Sequence, residues 1–172
     1  LIKISDGSQP IGSGIGPCLE ARDVLRVLQQ EKNLNKNLEK KALDFAGYLL
    51  EFSGACSPGM GFGLAKNTLR SGMAWAKFQK ICEAQGGLKS PGIALYQQMV
   101  TAKDLKNKAL NGRVVSRLAK ILGAPNQKEA GVDLHVEAMG QLDQKFEKDQ
   151  PVLTLHSNSK DLLGQGLAYL AI

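Results

Sequence analysis

The residues best suited to chemistry lie in one stretch, SDGSQPIGSGIGPCLEARD, at positions 5–23. Gly7, Gly12, Gly14 and Gly16 fall within it, and Pro17 then opens a helical pattern. Glycine permits positive φ and lets another group approach the main chain closely. Proline at a first helical position gives up no hydrogen bond, and a helix start offers free amides and a positive dipole end, which suit an anion. Gly12-x-Gly14-x-Gly16 therefore invites a phosphate-loop reading, although the dinucleotide fingerprint is G-x-G-x-x-G and no Gly-Lys-Ser/Thr follows. Glu39 stands where a ribose-holding carboxylate is expected, but inside an amphipathic helix rather than at a strand end. The second chemistry is cation binding: exposed carbonyls followed by a helix carboxylate give a hard cation its oxygen ligands, and Asp6, Glu20 and Asp23 are the nearby carboxylates. A third account is a tight loop that packs a helix onto a sheet and binds nothing.

The elements that must position this loop follow from periodicity. The apolar run at 1–4 predicts a strand, and residues 17–31 a helix with Cys18, Ala21, Val24, Leu25 and Leu28 on one face. Asn35 or Asn37 can cap the next helix, which runs to about Phe52 with a stripe of Leu38, Ala42, Phe45, Ala46, Leu49 and Phe52. Helices follow at 62–69 and 73–85, the latter with Trp75, Phe78, Ile81 and Cys82 turned inward as core. The first 88 residues thus read as one strand and then helices, with no sheet of their own to cover the apolar faces. The chain has no initiator Met and opens in a strand-like run, which predicts a piece of a longer protein.

Ser90-Pro91-Gly92 marks a boundary, after which the period shifts toward 2. Strands are predicted at 93–102, 105–110, 131–136 and 151–156. A helix at 113–122 buries Val114, Leu118, Ile121 and Leu122, and Ser157 or Ser159 caps a last helix through Leu170. This second part is a small α+β domain.

Three scattered cysteines, Cys18, Cys56 and Cys82, form no C-x-x-C and support neither a zinc site nor a disulfide framework; such usage fits a reducing cytoplasm. The formal charge is +6, but Lys36, Lys40 and Lys41 on one helix and Lys103, Lys106 and Lys108 near a strand make no basic stripe interleaved with aromatics, so a solvated surface is expected rather than nucleic-acid binding. No apolar run approaches the roughly 18 residues of a membrane span. His135 and His156 share no ligand-like spacing with Cys or carboxylate, and Glu137, Asp143, Glu147 and Asp149 read as solvating a turn. No G-x-S-x-G is present, and the residues alone form no complete catalytic constellation.

The Gln9-Pro10-x-Gly12 and Gly16-x-x-Leu19-Glu20-x-Arg22 elements resemble the thymidine and pyrimidine-nucleoside phosphorylase family. SDGSQPIG with GIGP is most similar to the branch that holds archaeal AMP phosphorylases and their bacterial thymidine-phosphorylase-like relatives. The similarity continues in order through Ser71-Gly72-Met73-Ala74, Phe78, Gln85-Gly86-Gly87, Arg117-Leu118-Ala119, Leu122-Gly123-Ala124-Pro125, Lys128, Ala130 to His135, and Pro151 to His156. It departs at 104–111, where the family has a Gly-containing turn, and at Asp149-Gln150, where the turn before the last strand is longer.

This resemblance implies a C-terminal portion of a cytoplasmic pentosyltransferase. Residues 1–90 would be the end of the large α/β domain, and 91–172 the small α+β domain with strands resembling a barrel-sandwich hybrid. The family's reaction is phosphorolysis, thymidine plus phosphate giving thymine and 2-deoxyribose 1-phosphate, or the equivalent on AMP. The family's phosphate loop and base-holding residues precede the matched segment, so the segment alone is expected to be inactive, and the whole enzyme to be a homodimer serving nucleotide salvage without nucleic acid or membrane. The family also has a structural monovalent cation, potassium, beside its phosphate loop. Matched residue by residue, its ligands fall on the carbonyls of Ile11 and Gly14 and the carboxylate of Asp23, where the family member has Glu. Lipoyl and biotinyl carrier domains share the small fold, but Lys145 and Lys148 lack their Met-Lys-Met context.

Overall fold

The computed structural model describes residues 2–5, 7, 9–105, 110–135 and 147–171. They form an α+β protein whose strands are β1 (Gly14–Ile15), β2 (Tyr96–Thr101), β3 (Gly131–Leu134) and β4 (Pro151–Ser157). The helices are α1 (Pro17–Leu28), α2 (Lys36–Phe52), α3 (Gly61–Arg70), α4 (Met73–Ala84), α5 (Gly112–Leu122) and α6 (Lys160–Leu170). The chain divides into two compact units, one of Leu1–Arg22 with Pro91–Ile172, the other of Asp23–Ser90.

The first unit holds a single antiparallel sheet in the order β1-β3-β4-β2. Val132 pairs with Leu155 and Leu134 with Leu153, which sends these four side chains to one face. Leu118 and Leu122 of α5 and Leu170 of α6 close that face into the main core. Both helices start on side-chain caps: Asn111 accepts the Val114 N–H at 3.0 Å and Ser159 the Leu162 N–H at 3.4 Å. The buried Ser157 hydroxyl donates to the Leu122 carbonyl at 2.8 Å, tying the end of β4 to the end of α5. The buried α5 face is Val115, Leu118, Ala119 and Leu122, with Val114 and Ile121 only half-buried, so the expected face is rotated by part of a turn.

The second unit is helical. Asn35 caps α2 by accepting the Leu38 N–H at 3.0 Å, and a small core gathers Val27, Leu34, Leu43, Ala65 and Leu69. Where α2 and α3 cross, their backbones touch. A Cβ on Gly47 would stand 2.7 Å from the Phe62 nitrogen, and one on Gly61 would stand 2.1 Å from the Gly47 oxygen.

Several expectations are corrected. Residues 2–5 form no strand, and Ile2 and Ile4 are 89% and 88% exposed; a lone extended run has no neighbour to pair with. The strand expected at 105–110 begins as a 3-10 turn, Ala102–Leu105, and residues 106–109 lie outside the described ones. In α1 the buried positions are Leu19, Asp23 and Val27, while Val24 is exposed. In α2, Leu43 and Gly47 are buried, while Phe45, Leu49 and Phe52 of the expected stripe are exposed. Helix α4 buries no residue: Trp75 and Phe78 stack at 5.9 Å but stay half-buried, as does Cys82, and Ile81 is exposed. Apolar residues lie on more than one side of each helix, so periodicity alone cannot choose the buried side.

Candidate functional site

The loop that leads into α1 is held by the sheet. Ser13 is buried, and its carbonyl accepts the Leu134 N–H at 2.8 Å. Gly14 faces Asp133 and Ile15 faces Val132. In an antiparallel ladder bonded and non-bonded pairs alternate. Ser13 opposite Leu134 is a bonded pair, so Gly14 opposite Asp133 is a non-bonded one, and the Gly14 carbonyl is directed away from β3.

Close approach explains two glycines. Gly16 has φ 138°, and a Cβ there would lie 2.3 Å from the Ala130 oxygen. Gly131 has φ 153°, and a Cβ there would meet the Ile15 oxygen at 2.1 Å. These glycines let β1 and the start of α1 seat against β3.

The phosphate-loop reading loses ground here. The Gly16 N–H donates to Glu20 Oε1 at 3.0 Å, and the Cys18 N–H donates to the Lys128 carbonyl at 2.9 Å. Amides that an anion at this helix start would need are committed within the protein. Glu20 thereby caps the start of α1.

The three residues matched to a cation site are placed as follows. Ile11 lies in the bend before β1 and is 39% exposed, Gly14 is in β1, and Asp23 is inside α1 with 3% exposure. Ile11 and Gly14 belong to the first compact unit and Asp23 to the second. Arg26 Nη1 stands 3.4 Å from Asp23 Oδ1, one turn along the helix. Asp6 lies outside the described residues. Among the described residues no group of three or more His, Cys, Asp or Glu is gathered for a metal ion.

The two histidines sit at opposite ends of the β3–β4 ladder. His135 donates its backbone N–H to Val152 O at 3.0 Å, and its Nε2 lies 3.3 Å from Thr154 Oγ1. His156 is opposite Gly131 on one side and Gln97 on the other. Its ring is buried with neither nitrogen hydrogen-bonded. Burial, helped by the Arg22 guanidinium, lowers its pKa to about 4, so the imidazole is neutral at pH 7. Arg22 itself donates to the Gly92 carbonyl. Sequence reasoning found no ligand-like spacing at His156 but did not identify it as a buried residue; its place in the apolar alternation of PVLTLH was the available signal.

A cavity of ≈ 340 Å³ lies between the glycine loop and the start of α5, lined among others by Gln9, Pro10, Ile15, Arg113 and Ser116. The cysteines Cys18, Cys56 and Cys82 are free thiols. Lys145 lies outside the described residues, and Lys148 is an exposed residue whose carbonyl accepts the Lys103 N–H at 2.8 Å. No helix among the described residues is long and apolar enough to cross a membrane.

No protein-family profile matches the chain. Curated relatives do. A protein of Sphingopyxis alaskensis named "Putative thymidine phosphorylase" is 43% identical over 165 residues, covering 95% of this chain and 31% of the relative. One of Cupriavidus necator, "Putative thymidine phosphorylase 1", is 45% identical over 166 residues, 96% of this chain and 31% of the relative. One of Legionella pneumophila, "Putative thymidine phosphorylase", is 44% identical over 157 residues, 91% of this chain and 30% of the relative. The chain therefore spans about 30% of the length of the relatives it matches.

Proposed function

We propose that this chain, 43–45% identical along nearly its whole length to proteins named as putative thymidine phosphorylases, is the C-terminal part of a nucleoside phosphorylase. The observation that carries this reading is identity of 43–45% along 91–96% of the chain. In the proposed reaction a phosphate oxygen bonds to C1′ of the sugar as the glycosidic bond to thymine breaks. The base leaves with the bonding electrons and takes up a proton, and 2-deoxyribose 1-phosphate remains. The chemistry needs an anion cradle and a held base. The Gly16 and Cys18 amides, donated internally, do not supply that cradle, which fits a supporting rather than a catalytic segment. The reading carries with it a cytoplasmic, homodimeric whole enzyme of nucleoside salvage.

The same proposal assigns the Ile11 and Gly14 carbonyls and the Asp23 carboxylate to a structural potassium ion. An oxygen-only donor set of this kind suits such a cation. The ion would supply charge and rigidity and take no part in bond breaking.

The test is phosphate-dependent base release by the whole protein that carries this segment, with thymidine, uridine and AMP compared. Release from thymidine is expected, and none from the 172-residue chain alone. Release from AMP but not from thymidine would move the assignment to the AMP phosphorylase branch, and no release from any of the three would sink it. For the ion, potassium is expected to raise the melting temperature of the whole protein, and Asp23→Ala to abolish that rise. An equal rise in the variant would remove Asp23 from the site.

A further inference from the structure

We infer that the outer face of α2, carrying Phe45, Leu49 and Phe52, is the seat of the phosphorylase polypeptide that lies outside this chain. The inference rests on the phosphorylase reading above and deepens it by naming an internal interface.

These three residues, with Tyr48 between them, recur at helical spacing and are exposed at 39%, 67% and 73%. Leu43 and Gly47, on the opposite side of α2, are buried. There the Gly47–Gly61 contact presses α3 against the helix. One side of α2 is thus clothed by its own unit, and the other presents aromatic and aliphatic surface. A solvated helix face is normally polar, and a helix that is apolar on two sides is built to be covered on both.

The unit has little else to cover it. Its core consists of Val27, Leu34, Leu43, Ala65 and Leu69 with partly buried neighbours, and α4 buries no residue. A module with so small a core is marginal by itself. What covers the face follows from length. The chain spans about 30% of its relatives, and on the phosphorylase reading polypeptide equivalent to the rest of them folds with it. Covalent attachment gives that polypeptide an effective concentration that a second copy of this chain does not match.

The experiment compares the isolated 172-residue chain with a chimera in which it replaces the equivalent segment of the Cupriavidus necator relative. Hydroxyl-radical footprinting read by mass spectrometry reports side-chain access without a substitution. Phe45, Leu49 and Phe52 are expected to react about fivefold more slowly in the chimera, as residues entering an interface core do, while the isolated chain runs as a monomer. Equal rates in the two proteins would overturn the inference. So would an isolated dimer in which the stripe is already protected, since a second copy would then be the occupant. Phe52→Glu supplies an arm that needs no chimera. The isolated chain should keep its urea midpoint, and a fall there would place the residue in the unit's own core. Base release by the chimera is scored separately: protection without phosphorolysis sinks the reaction, and phosphorolysis without protection sinks the interface.

Discussion

Gly47 and Gly61 touch backbone to backbone: a Cβ on Gly61 would lie 2.1 Å from the Gly47 oxygen, and one on Gly47 would lie 2.7 Å from the Phe62 nitrogen. The contact sets how α3 lies on α2, and hence which side of α2 is left outward. Ordinarily Gly→Ala inside a helix gains up to about 1 kcal/mol. Here the obstacle is main chain, which cannot swing aside, so Gly47→Ala should lose about 1–3 kcal/mol as an overpacked core does. Gly63→Ala is the control. Gly63 is in the same helix as Gly61, with nothing within 4 Å of its would-be Cβ, and the substitution should be neutral or stabilising. Urea denaturation of the two variants should move in opposite directions; the same direction for both would dismiss the contact as a constraint.

Glu51 completes that junction. Its Oε1 accepts the Gly61 N–H at 2.8 Å, at the very start of α3. No side chain from the N-cap residue Met60 does this work. A carboxylate at a helix start gains from both the hydrogen bond and the dipole. Glu51→Leu should therefore cost about 1 kcal/mol, and Glu51→Gln, which keeps an acceptor, clearly less. Chemical denaturation at low and moderate salt separates the two contributions, and a Leu variant as stable as the parent would refute the cap.

Some of this architecture was legible from residues alone. The caps at Asn35 and Ser159 were each one of two candidates readable from sequence, because Asn and Ser before a periodic run have a local job that needs no tertiary partner. The strands Gly131–Leu134 and Pro151–Ser157 were readable because β-branched and aliphatic residues crowd them between turn residues. The buried side of α2 was not, because its contact point is Gly47, a residue with no side chain to betray burial. Residues 2–5 misled for the opposite reason: an apolar run has strand propensity but here no strand beside it. For the site, spacing offered carbonyls and carboxylates. The pairing of Gly14 with Asp133, far along the chain, follows a register that no local pattern carries.

Ser157 joins three elements of the sheet unit. It is fully buried, gives its hydroxyl proton to the Leu122 carbonyl at 2.8 Å, and accepts the Ser159 N–H at 3.2 Å. Removing it leaves the C-terminal carbonyl of α5 buried without that donor. Ser157→Ala is expected to cost about 1–3 kcal/mol, the price of an unsatisfied buried group, read as a lower urea midpoint with an unchanged slope. A loss below about 0.5 kcal/mol, within the range of ordinary surface changes, would mean that the bond contributes little.

His156 gives the fold a pH dependence whose sign can be worked out. Its folded pKa is about 4, against an ordinary 6.5, with burial the larger cause and the Arg22 charge the smaller. Above pH 6.5 the ring is neutral in both states and takes nothing from stability. As pH falls from 6.5, the unfolded chain gains a proton that the folded one refuses until near pH 4. The balance therefore shifts toward unfolding across that window and no further below it. The largest loss is about 3 kcal/mol, at 1.36 kcal/mol per pKa unit. Carboxylates titrate in the lower part of the window as well, so the test is a difference between proteins. His156→Leu removes the titrating group and abandons no hydrogen bond, since neither ring nitrogen makes one. Its unfolding free energy should fall less steeply than the parent's between pH 6.5 and 4. Arg22→Gln, by withdrawing the neighbouring charge, should raise the folded pKa of His156 slightly, so that the loss ends at a somewhat higher pH and is smaller in total. Parallel curves for the parent and His156→Leu would show that the ring takes up its proton equally well in the folded protein.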